Sequence, residues 1–210
     1  MKKLSFVLAI LFFAAGIQLF AQGIQQKDAL ELYHNGKYQE SVQVCEEELK
    51  NDPNRIESYV VMCWSLVKNK QYAEAEQRAI EGLALSSYDL RLIEILGEAR
   101  YYLGKNAGAM EQFQKYAARA QDTGGRIGSV YYFMGEIYIR QGRYQHADIS
   151  LSAAVKKEPL SDNWWIRLGY AREMAGNYLE SLEAYDEALR LNPSSVDASR
   201  GRERVKDKVR

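Results

Sequence analysis

The sequence predicts an all-α protein: an array of about five stacked helical hairpins closed by a last helix. Three observations carry this. A small residue recurs at Ala29, Cys63, Gly97, Gly135 and Gly169, at a step of 34 that lengthens once to 38. A second small residue follows each one twelve positions later, at Ser41, Ala75, Ala109, Ala147 and Ser181. The only prolines, Pro53, Pro159 and Pro193, all stand at the same offset from the first small residue of their unit. A fixed period near 34 marks a stacked array, in which no unit buries its apolar face alone.

Taken in order, Lys2 and Lys3 precede an apolar run over residues 4–20, broken only by Ser5, Gly16 and Gln18, and Ala21 then offers a small residue for cleavage. Residues 1–21 read as a secretory signal peptide, which places the mature protein in the periplasm or outside the cell. The alternative is an uncleaved helix tethering it to a membrane, since a run of about 17 residues is at the lower edge of what spans a bilayer. The array then occupies residues 22–195, in units at about 22–55, 56–89, 90–127, 128–161 and 162–195.

The unit at 128–161 shows the physics. Tyr131, Met134, Gly135 and Tyr138 form the stripe of an amphipathic helix, and Ala147, Leu151, Ala154 and Val155 form a second. Gly142 between them suits a left-handed helix stop, and Pro159 ends the second helix. Gly135 and Ala147 are small so that the two helices cross closely. Gly36, Gly104 and Gly176 repeat the stop, whereas Lys70 breaks the set. Residues 196–210 read as a capping helix whose basic run is a solvated helix end.

The pattern Tyr131, Met134-Gly135, Tyr138, Gly142, Tyr144, Ala147, Ala154, Pro159 resembles the tetratricopeptide repeat (TPR), and Trp165, Leu168-Gly169, Gly176, Tyr178, Tyr185, Ala188 and Pro193 match it again. The resemblance runs over about residues 22–195. It implies a right-handed α-solenoid with the first helix of each unit lining a concave face. Departures from the pattern are Gln25, Asp28 and Glu48, which suit a water-facing first unit, and Arg100 and Arg172 in place of an aromatic. The third unit lacks the closing proline and has four extra residues within 121–126, where Gly124-Gly125 predicts a looser joint.

The resemblance also implies which residues face the groove: the second, fifth, ninth and twelfth of each unit. These are Glu57, Val60, Trp64 and Val67; Arg91, Glu94, Glu98 and Tyr101; Ser129, Tyr132, Glu136 and Ile139; and Asn163, Ile166, Tyr170 and Glu173. The candidate partner site is therefore Trp64, Arg91, Glu94, Glu98, Tyr101, Tyr132, Glu136, Ile166 and Tyr170. Its acidic members favour a partner carrying lysine or arginine, with Trp64, Tyr101, Tyr132 and Tyr170 as packing and cation–π anchors. The positions of the family's carboxylate clamp hold Gln26, Leu30, Val61, Arg91 and Ile95, of which only Arg91 could serve.

Composition bounds the rest. The 28 basic and 28 acidic residues become 26 and 28 once Lys2 and Lys3 are removed, a net charge of −2. No concentrated basic face points to nucleic acid. Cys45 and Cys63 could meet in a disulfide, although Cys63 holds a small-residue position that suits a buried thiol. His34 and His146 are isolated at helix ends. GxxxxGK[ST], GxSxG, HExxH and paired-cysteine patterns are absent from the sequence, so no cofactor, metal or small-molecule substrate is expected, and no enzyme. The reading is a scaffold of the cell envelope that binds a protein or peptide. Its rivals are a structural subunit joined through its outer face and a cell-wall glycan binder stacking sugars on Trp64 and the groove tyrosines.

Overall fold

A computed structural model describes residues 28–120 and 125–209; the leader expected at 1–21, Gln25, Gln26 and most of the joint expected at 121–126, Gly124 included, lie outside them. The described residues form eleven α-helices joined by short turns. They are α1 (Ala29–His34), α2 (Tyr38–Asn51), α3 (Ile56–Lys68), α4 (Tyr72–Leu85), α5 (Leu90–Tyr102), α6 (Asn106–Ala120), α7 (Ile127–Arg140), α8 (Tyr144–Lys157), α9 (Asp162–Ala175), α10 (Tyr178–Leu191) and α11 (Val196–Lys206). Antiparallel pairs α1–α2 to α9–α10 stack in chain order as an α-solenoid, and α11 packs on α10 and α9.

The turn inside each hairpin is one structure repeated five times. The N–H groups of Lys37, Gln71, Lys105, Arg143 and Asn177 donate to the carbonyls of Leu32, Leu66, Arg100, Tyr138 and Arg172, at 2.8–2.9 Å. This is the six-to-one bond of the Schellman motif, which needs a left-handed residue just before the donor. Gly36, Gly104, Gly142 and Gly176 supply it with φ between 68° and 85°. In the second unit the same turn forces Lys70 to φ 61°. The residues before the three prolines, Asp52, Glu158 and Asn192, leave the helical region, with φ −137° to −128° and ψ 76° to 91°, in keeping with the bar a following proline sets on helix.

The close crossing inside a hairpin has a different partner from the one expected. A Cβ placed on Gly135 would stand 2.5 Å from Leu151 Cγ, and one on Gly97 would stand 2.5 Å from Phe113. The glycine therefore admits a large residue sixteen positions later. The small pairs twelve apart also meet, through side chains bonding to backbone. Ser41 Oγ donates to Ala29 O at 2.7 Å, and Ser181 Oγ to Gly169 O at 2.8 Å. Both cysteines are free and buried, and Cys63 Sγ makes the equivalent contact to Ala75 O at 3.7 Å.

Arg100 and Arg172, the two departures in the aromatic position, bind neighbouring units together. Arg100 Nε donates to Glu76 at 3.1 Å and Arg172 Nε to Asp148 at 2.9 Å, each acid lying upstream on the previous second helix. Their terminal nitrogens donate to Gly108 O and Glu180 O on their own second helices.

The C-terminal helix is pinned rather than merely solvated. Tyr185 is fully buried between Gly169 and Gly201, where a Cβ on Gly201 would overlap its ring. The Tyr185 hydroxyl donates to Glu173 at 2.9 Å, and Arg204 closes on the same carboxylate through Nε and Nη2 at 2.9 and 2.8 Å. Arg202 pairs with Asp186, and Lys208 lies over the Tyr178 ring.

Candidate interaction groove

The first helices place the sequence-predicted residues in two sets. Trp64 on α3 and Arg91, Glu94 and Glu98 on α5 line one cavity of about 270 Å³. Tyr33, His34, Lys68, Tyr116 and Arg126 complete its rim and walls, with Val67 and Ile95. Trp64 packs on Tyr33 with ring centroids 5.8 Å apart. Further along, Tyr132 stacks on Trp164 at 5.1 Å, Glu136 pairs with Arg167, and Arg167 lies over the Tyr170 ring. Ile166 is half-buried on α9, outside the cavity.

Tyr101 is core and not an anchor. It is buried between the Phe133 ring at 4.9 Å and the Arg140 guanidinium at 3.8 Å. Its hydroxyl is held above its ordinary pKa chiefly by burial.

The acidic members are each already met from within the chain. Arg126, just before the start of α7, donates to Glu94 through Nε at 3.3 Å and Nη2 at 2.9 Å, and reaches Glu98 at 3.5 Å. Arg167 Nε donates to Glu136 at 2.6 Å. Arg91 donates to Glu57 at 2.7 and 3.1 Å, while Asp89 holds its other edge and also caps α5 by accepting from the N–H groups of Arg91 and Leu92. Burial outweighs these partners at two of the acids. Glu94 is raised by desolvation against the pull of Arg126, and Glu98 is pushed up to about 7 by burial and then by Glu94.

Sequence reasoning missed Tyr33, Lys68, Tyr116, Arg126 and Arg167. Arg126 follows Glu94, and Arg167 follows Glu136, by close to one repeat length. That spacing is a signal for contact between equivalent helices, legible only once the stacking is known.

Residues 132–196 match the tetratricopeptide repeat family model. The solenoid is similar to a structure of PilF from Pseudomonas aeruginosa, with a TM-score of 0.74 at 13% identity over 86% of this chain and 81% of that one. It is also similar to YrrB, described as a TPR protein with an unusual peptide-binding site, with a TM-score of 0.67 at 16% identity over 83% and 88%. In sequence, 137 residues are 25% identical to the chloroplastic TPR domain-containing protein PYG7 of Arabidopsis thaliana, covering 65% of this chain and 44% of that relative. The fold is that of TPR proteins, and its C-terminal part carries the family's sequence signature. The match is to a repeat and not to a catalytic domain.

Proposed function

We propose that the chain is an exported scaffold of the cell envelope that holds a protein or peptide segment in its concave groove. The observation that carries this reading is the cavity at Trp64, Glu94, Glu98 and Arg126, which spans the first helices of three successive units. A surface shared by several units has the length to take up a segment of another chain, and a preformed wall binds without the cost of ordering itself. Its likeness to YrrB, a peptide-binding TPR protein by description, supports the same reading.

The test is cross-linking in native cells with the wild type and with a Trp64→Ala, Tyr132→Ala, Tyr170→Ala triple variant. The variant is expected to keep its helical circular dichroism and lose the captured partner. Unchanged capture would end the groove reading. Export is tested by N-terminal sequencing of the mature protein, with a start at or near Gln22 expected.

A second reading has its own observation. Between α4, α5 and α6, Ile80, Leu83 and Tyr88, with the charged Glu111, Lys115 and Arg119, line a hollow of about 490 Å³, with Tyr88 71% exposed. Such a surface suits a subunit joined through its back. Tyr88→Glu would break that assembly while leaving groove capture intact.

A further inference from the structure

The pairing of groove acids with arginines forms a ladder. Glu57–Arg91, Glu94–Arg126, Glu136–Arg167 and Glu173–Arg204 link α3 to α5, α5 to the residue that precedes α7, α7 to α9 and α9 to α11, each across close to one repeat length. The four acids are the second, fifth, ninth and twelfth residues of units 56–89, 90–127, 128–161 and 162–195. The acids thus step one helical turn further along from each unit to the next, and this carboxylate floor crosses the groove diagonally.

In three of the rungs the two charges are not equally accessible. The Glu94, Glu136 and Glu173 side chains are 2%, 11% and 8% exposed, whereas Arg126, Arg167 and Arg204 are 55%, 33% and 50% exposed. The carboxylates form the floor and the guanidiniums lie over them. An incoming cation would have to displace an arginine from a buried acid, leaving one charge unpaired, which is strongly unfavourable. An incoming carboxylate meets the exposed guanidiniums first. Among the described residues Arg167 spends only Nε on Glu136, which leaves its forked terminal nitrogens to donate elsewhere. A further cation, Lys68, ends α3, lines the cavity and pairs with no carboxylate among the described residues, whereas Arg140 at the end of α7 is spent on Tyr101 O and Asn106 Oδ1.

From this layering we infer that the segment held in the groove is acidic, an extended chain whose Asp or Glu side chains meet the three exposed guanidiniums, Arg126, Arg167 and Arg204, one at a time. The inference rests on the groove reading above and names the chemistry of its partner. Packed helix axes stand about 8–10 Å apart, and one turn advances about 5 Å, so rungs are about 10 Å apart. An extended chain rises about 3.3 Å per residue, which sets an acidic residue at about every third position. Trp64 with Tyr33, and Tyr132 with Trp164, flank the diagonal and take the apolar residues between.

The experiment is selection of a random peptide library displayed on phage against the intact protein, followed by anisotropy titration of a labelled selected peptide. Selected sequences are expected to be rich in Asp and Glu at about that spacing. Binding should weaken by about tenfold or more as salt rises from about 0.1 M to about 1 M, where the screening length falls from about 10 Å to about 3 Å. Lys68→Gln, which breaks no ion pair among the described residues, should weaken it about threefold, a size typical of exposed charge contacts. If the selected peptides are basic or uncharged yet lost by the Trp64, Tyr132, Tyr170 triple variant, the acidic partner is wrong and the groove stands. If nothing is selected, or the triple variant binds equally, both readings fall.

Discussion

Glu98 is an acid placed where its charge is costly. Its carboxyl titrates near 7, raised from an ordinary 4.5 first by burial and then by Glu94 on the same helix, against the pull of Arg126 and Lys68. The folded pKa lies above the unfolded one, so the native state binds the extra proton. Its stabilising share is fully present below about pH 4.5 and is lost as pH rises through about 7. Glu98→Gln is expected to flatten the fall in urea midpoint across that window and to raise stability at neutral pH by about 1 kcal/mol or more. Urea titrations at several pH values check it; equal slopes in the two proteins would refute the assignment. Cys45 illustrates the same physics without a pH window: burial raises its thiol to about 12, and it stays a packed, unreactive group.

Helix ends in this protein are set by a few backbone demands, and one of them is met by the wrong residue. Lys70 holds a left-handed conformation that its Cβ disfavours, in the turn where the other four units use glycine. The left-handed state costs a residue with a Cβ about 1–2 kcal/mol, and the greater freedom of glycine in the unfolded chain returns part of that. Lys70→Gly should therefore stabilise by about 0.5–1 kcal/mol, read as a higher thermal midpoint. Lys70→Val should lower it, because a branched Cβ worsens the same clash. At the element scale the arginines also change meaning. Arg100 and Arg172 replace aromatic packing with paired charges that tie one hairpin to the next, through Glu76 and Asp148.

An array of this kind has two open ends, and the C-terminal one is closed by α11. Gly201 lets that helix lie against Tyr185, and the Glu173–Arg204 rung fastens it. Gly201→Ala drives a methyl into a ring that has nowhere to go, at a cost of about 1–3 kcal/mol. Because contacts in a solenoid run only between neighbours, the damage should stay local. Hydrogen exchange is expected to quicken in α9, α10 and α11 while α3 and α4 keep their protection. Uniform loss along the whole chain would show that the array melts as one body and not from its end.

The helices, their order and the hairpin turns were legible along the chain, because period, glycine stops and proline breaks act over short stretches. Groove positions came from the family resemblance laid over that period, and Trp64, Arg91, Glu94 and Glu98, named that way, lie on one cavity. Charge in the groove was not legible. Glu94 and Glu136 read as an acidic surface until stacking sets Arg126 and Arg167, a repeat length away, over them. The burial of Tyr101 under Arg140 and the locking of Tyr185 by Gly201 arise the same way. Sequence by itself determined the local elements and the faces they present. Tertiary stacking alone decided which charges are covered, since desolvation and ion pairing depend on neighbours a full repeat away and not on the next turn of the helix.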